Sequence, residues 1–135
     1  MALSEWPTRL KRIFTQQTYS NDGLFELHLF FKSEPHSIVI DDRLPLHKSG
    51  LLAAAQRTTN GAWWAALLEK AVAKMHQNYV RLSGGLSFEG MRVLTGMPVI
   101  LHLPKYYHKN YSEESLWSIL TDALSVDYII VADAN

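Results

Sequence analysis

The stretch "NGAWWAALLEKAVAKMHQNYVRLSGG", residues 60–85, decides the reading of this chain. Thr58, Thr59 or Asn60, at its start, can cap the helix, since their side chains accept hydrogen bonds from free backbone N–H groups. From Trp63 to Arg81 the apolar positions are Trp64, Leu67, Leu68, Ala71, Val72, Met75 and Tyr79. That spacing predicts one helix with a stripe facing a core. Lys70, Lys74, Gln77 and Arg81 fall on its wet side. Gly84 and Gly85 end the segment, because glycine enters left-handed geometry cheaply. Of the adjacent tryptophans, one is expected in the core and the other over its rim. A stacking platform for a sugar or base is the weaker alternative.

Working outward, "IVIDDRLPL" (38–46) is a strand running into a charged turn. Before it, "LFELHLFF" (24–31) alternates as a half-buried strand does, "KSEP" (32–35) is a turn, and "HSIVI" (36–40) is a second strand. An antiparallel hairpin follows from that order. Trp6, Leu10, Ile13 and Phe14 predict a short amphipathic helix over 6–14, with Pro7 in its first turn. Residues 41–60 are irregular and polar, broken by Pro45, Ser49 and Gly50. Residues 86–98 form a short helical or irregular piece. A strand is expected at 99–103 and a buried one at 128–132. Between them Ser112 caps a helix with Glu113 and Glu114 in its first turn, where the dipole favours negative charge. Leu116, Ile119, Leu120, Ala123 and Leu124 make its stripe. The expected class is α+β, helices packed on small antiparallel sheets, with units at 1–96 and 97–135.

Thirteen basic residues balance thirteen acidic ones among 135, so no electrostatic footprint for nucleic acid or an anionic membrane is present. The chain has no cysteine, which excludes disulfides, thiolate metal sites and a cysteine nucleophile within it. No apolar run approaches the roughly 18 residues of a membrane helix. The N-terminus lacks the apolar core of a secretory signal.

Candidate chemistry is thin. The six histidines show no H-E-x-x-H spacing, and only His28 and His36 could be neighbours, across the hairpin. "GLSFEG" (85–90) has one residue too many for a nucleophile elbow and no preceding buried strand. Asp41 and Asp42 are successive strand residues that point to opposite faces, so they suit a turn cap and a partner for Arg43 better than an acid/base pair. No EF-hand spacing is present. The residues alone describe a piece of mixed helices and strands, α/β in composition, without a self-contained active site.

"DDRLPL" (41–46), "WWAALLEKAVAKMHQNYVRLSGG" (63–85) and "LTG" (94–96), in that order, resemble the calpain family of papain-like cysteine proteases. There the run reads D-D-R-L-P, a variable loop, F-W-x-A-L-L-E-K-A-Y-A-K, Y-x-x-L-x-G-G and D-F-T-G-G. "WPTRLKRIF" with "GLFELHLFF", and "SEESLWSILTDALSVDYIIVA", extend the likeness to both ends. The resemblance implies a partial papain-like core: the latter part of the first subdomain at 1–96 and the start of the second at 97–135. It places the catalytic cysteine upstream of Trp6 and the histidine and asparagine beyond Asn135, so no catalytic residue is expected here. Gly84 and Gly85 match the double glycine whose backbone lines the substrate cleft. Asp41, Asp42, Arg43, Trp64, Leu67, Leu68 and Tyr79 match structural positions. An acidic calcium ligand of the family corresponds to Ala62, and a methyl cannot bind a hard cation, so no calcium or other cofactor is expected at that site. In "VLTGMP" Val93, Leu94 and Met97 replace the aspartate, phenylalanine and second glycine of D-F-T-G-G, which puts the family's calcium-driven closure in doubt.

Two functions follow from the resemblance, and the first is preferred. One is a non-catalytic calpain-like domain serving as a structural or interaction subunit of a larger assembly. The other is an internal piece of a calcium-dependent cysteine endopeptidase. An unrelated small binding domain is the third alternative. Protein partners are expected, without nucleic acid or a membrane span, in the cytoplasm or in a cytoskeletal or organellar assembly. Residues 1–135 alone are expected to be poorly soluble or oligomeric.

Overall fold

The computed structural model describes residues 6–53, 55–59, 61–82, 84–102 and 112–132. Helix α1 (Pro7–Lys11) leads by a turn into strands β1 (Leu24–Phe31) and β2 (Glu34–Asp41). After the 42–62 loop come α2 (Trp64–Met75), a single 3₁₀ turn at Tyr79–Leu82, α3 (Ser87–Thr95) and α4 (Glu113–Ser125). The arrangement is α+β, with an antiparallel pair of strands as the sheet of the described residues.

The register runs from Leu24 opposite Asp41 to Phe31 opposite Glu34. The turn is therefore only Lys32 and Ser33, both at positive φ, and the second strand starts two residues before the expected His36. A two-residue hairpin loop with both φ values positive matches the twist of the strands it joins. Lys-Ser is not the usual pair for such a turn, which is why the sequence suggested a longer one.

Period-two alternation puts Phe25, Leu27, Leu29 and Ile40 on one face, and all four are buried. They meet Leu67, Leu68 and Ala71 of α2, Leu94 of α3 and Ile13 from the turn after α1 in a single core. Leu27 and Leu29 are fully enclosed. Enclosing such a side chain contributes about 1.5–3 kcal/mol each. Trp64, Val72, Met75 and Ile129 pack around this cluster.

Three expectations are corrected. The helix after Trp63 does not run to Arg81. His76 caps α2, and Gln77 enters the left-handed region. Asn78 then accepts from the Arg81 N–H at 3.0 Å, starting the separate 3₁₀ turn. A short amide side chain that competes with the helix in this way ends it. Second, residues 99–102 and 128–132 form no strand, since a segment becomes a strand only by pairing; Leu103 lies outside the described residues. Third, α1 is five residues rather than nine, and the chain beyond it joins β1 through a bridge between Phe14 and Leu27.

α2 starts without a side-chain cap. Thr58 instead closes the preceding turn, its Oγ1 accepting from the Ala62 N–H at 2.9 Å; Asn60 lies outside the described residues. Ser112 caps α4 as expected, accepting from the Ser115 N–H at 3.2 Å. α4 buries none of its side chains fully. No described helix is long and apolar enough to cross a membrane.

Candidate functional site

The "DDR" turn and α2 meet at the end of the hairpin. Asp41 accepts from the Arg43 N–H at 2.9 Å, which fixes the turn, and its carboxylate forms an ion pair with Lys70. These contacts, led by Lys70, hold its carboxyl below the usual carboxylate range. Asp42 does not pair with Arg43 but accepts from the Tyr19 hydroxyl at 2.6 Å. That bond raises the Tyr19 phenol above its ordinary value. The two aspartates thus serve different partners, as residues pointing to opposite faces must. Neither stands as an acid/base pair.

Lys70 is not on the wet side, being only 19% exposed. It reaches around α2 to the Asp41 carboxylate and to the carbonyls of Asp41 and Arg43. Lys74 does the same one turn later, donating to the Val39 carbonyl at 2.6 Å. Their i, i+4 spacing was visible in the sequence. Their target was not, because it depends on α2 lying along β2.

Trp64 packs against the core. Trp63 is 44% exposed, with the Arg57 guanidinium 4.8 Å from its ring centre. Leu67 and Leu68 are buried. Tyr79 lines a shallow apolar depression with Leu44, Pro45, Leu52, Ala66 and Glu69. Burial, and then Glu69, push its phenol upward. Glu69 is itself tied down by the Ala55 N–H at 2.6 Å. This depression braces the 42–62 loop against α2.

Gly84 and Gly85 follow the 3₁₀ turn, exposed, at φ +89° and +154°. An added Cβ at either meets nothing within 4 Å. Backbone conformation, not crowding among the described residues, is what asks for glycine here.

Ala62 is held by its backbone. Its N–H goes to Thr58 Oγ1, and its carbonyl accepts from the Thr58 N–H at 3.1 Å. The side chain is a methyl with no lone pair, so it offers no ligand to a calcium ion. Among the described residues no three His, Cys, Asp or Glu side chains converge as a metal site would require.

His28 and His36 are not neighbours. His28 faces Ser37 and His36 faces Leu29, on opposite faces of the hairpin. His28 instead joins a polar chain with no sequence signature. Its Nε2 lies 3.0 Å from Thr15 Oγ1 and its Nδ1 3.4 Å from Ser37 Oγ, and Ser37 donates to Glu26. His36 stacks edge-on against Phe31; His108 lies outside the described residues.

The arrangement is a braced hairpin, a helix that clamps it and a free double glycine, with no thiol anywhere in the chain. The profile of the family described as "Calpain family cysteine protease" matches residues 1–135, and the chain belongs to that family. It is similar to calpain-8 of Rattus norvegicus, 34% identical over 129 residues, covering 88% of this chain and 18% of that protein. It is 34% identical over 110 residues to the calpain-1 catalytic subunit of Homo sapiens, covering 80% of this chain and 15% of the relative. With calpain-C of Drosophila melanogaster it shares 36% over 106 residues, 78% of this chain and 15% of the relative. The chain thus spans less than a fifth of the length of these curated relatives.

Proposed function

We propose that this chain is the non-catalytic framework of a calpain-type cysteine-endopeptidase core. It positions the hairpin, α2 and the double glycine, and it contributes no nucleophile. The observation that carries the reading is family membership over all 135 residues in a chain without cysteine. Cysteine proteolysis needs a thiolate with an imidazole base beside it. The thiolate must then come from other residues of a longer polypeptide or from another chain. The first source is the leading one, because the curated relatives are more than five times as long as the stretch they share with this chain. Gly84 and Gly85, exposed and free of side chains, would offer backbone to an extended peptide once the opposite wall of a cleft is supplied.

A second reading is a structural subunit that has lost catalysis. Ala62 favours it, since a core that keeps its packing residues but carries a methyl at a calcium-ligand position has kept the fold without the control. In either case calcium is not held at Ala62.

A thiol-reactive peptidyl probe, applied to the endogenous protein purified with an antibody to residues 1–135, tests the framework role. The expected label sits on a cysteine of the same polypeptide that yields peptides from α2. No labelled thiol, with stable co-purifying chains, supports the subunit instead. Peptide hydrolysis by the 135-residue chain alone would overturn both.

A further inference from the structure

The sheet has two edges, and they are treated differently. On the outer side of β1 the Thr15 N–H donates to the Glu26 carbonyl at 3.0 Å, and the His28 N–H donates to the Ile13 carbonyl at 2.7 Å. Glu26 and His28 thus turn their backbone groups away from β2. Their cross-strand partners Val39 and Ser37 must turn theirs away from β1. By the strand period so do Pro35 and Asp41. This row is the outer edge of β2, which no strand covers among the described residues, and an open edge of that kind is a template for another strand.

Two of its four acceptors are held by lysines. Lys74 Nζ holds the Val39 carbonyl at 2.6 Å and Lys70 Nζ the Asp41 carbonyl at 3.1 Å. Pro35 has no N–H to give. A second copy of β2 in one register meets all three at once. Two outer edges of β2 can join antiparallel about Ile38, which sets Ser37 against Val39 and Pro35 against Asp41 of the second copy. Each Ser37 N–H would then have to share the Val39 carbonyl with the Lys74 ammonium. Each Pro35 would face the Asp41 carbonyl, which Lys70 already holds, with no N–H to donate to it. Each Pro35–Asp41 pair loses one bond, and four ammonium groups are brought together across the joint.

We infer that Lys70, Lys74 and Pro35 keep this chain from pairing with itself through β2, and that the uncapped edge takes β2 of a second copy. The inference goes beyond the framework reading and does not depend on it.

The test is sedimentation of the full chain over a concentration series, with hydrogen exchange read at the Ser37 and Val39 amides. The parent is compared with Lys70→Met/Lys74→Met and with Lys70→Arg/Lys74→Arg. The methionine pair is expected to approach twice the parent's mass as concentration rises, with both amides becoming protected in step; the arginine pair still donates and keeps the parent's mass. Three results would overturn the inference: the methionine pair holding the parent's mass throughout, the arginine pair associating equally, or association without protection of those two amides. Pro35→Thr/Lys74→Met leaves the Lys70–Asp41 ion pair intact and serves if the methionine pair does not fold. Failure of that variant to associate also overturns the inference.

Discussion

Gly96 closes α3 in the left-handed region, at φ +66°, and it does so against the side chain of Phe30. A Cβ built there would stand 2.5 Å from two carbons of the Phe30 ring. Gly96→Ala therefore meets two separable penalties. The left-handed backbone costs a residue with a Cβ about 1–2 kcal/mol. Forcing the ring aside adds about 1–3 kcal/mol, the usual range for overfilling a packed site. The sum, about 2–5 kcal/mol, is a large share of the roughly 5–15 kcal/mol that holds a domain folded. Urea unfolding followed by tryptophan fluorescence measures it. A cycle with Phe30→Ala separates the parts, because in that background the added methyl has room and only the backbone penalty of about 1–2 kcal/mol remains. Gly96→Asn should lose less than Gly96→Ala in the parent, since asparagine tolerates the left-handed backbone and keeps mainly the clash of its Cβ with the Phe30 ring. A loss below about 1 kcal/mol for Gly96→Ala, or equal losses in both backgrounds, would refute the contact between α3 and β1 on which this rests.

Leu27→Ala empties the centre of the core, where no part of Leu27 reaches solvent, and should cost about 2–5 kcal/mol by the same denaturation assay; Leu46→Ala, at an exposed loop position, should cost little. Asp41 titrates below the ordinary carboxylate value, chiefly because of Lys70. The native state then binds fewer protons there than the unfolded chain. Its stabilising contribution is complete above the ordinary carboxylate value and disappears as pH falls through the depressed one. In Lys70→Met the Asp41 carboxyl resonance should titrate at a higher pH than in the parent, and an unmoved midpoint would deny the ion pair. Millimolar calcium should leave the thermal midpoint unchanged, and a clear rise would show that other groups compensate for Ala62.

The hairpin and α2 were legible because their patterns are local. Phe25, Leu27 and Leu29 alternate, and Leu67, Leu68 and Ala71 recur at helical spacing. The break at His76 was hidden because Tyr79 continues the apolar stripe, while the competing signal, the Asn78 side chain, is weak by itself. The segments at 99–102 and 128–132 read as strands by composition, yet composition cannot supply a pairing partner. The double glycine and the "DDR" turn were legible as a helix stop and a charged turn, but as site positions they, like the alanine at 62, stood out only through resemblance. The lysine clamp and the Thr15–His28–Ser37–Glu26 chain needed the register and the placement of α2, neither of which periodicity provides.

The framework reading makes its sharpest commitment about covalent context. Denaturing and native mass measurement of the endogenous protein, with peptide mapping, tests it directly. The expected polypeptide is far heavier than the 15.4 kDa of these residues, with a cysteine elsewhere in it that the thiol probe labels. An endogenous polypeptide of that small mass, held in a large assembly and devoid of thiol labelling, would contradict it and leave the chain a structural subunit.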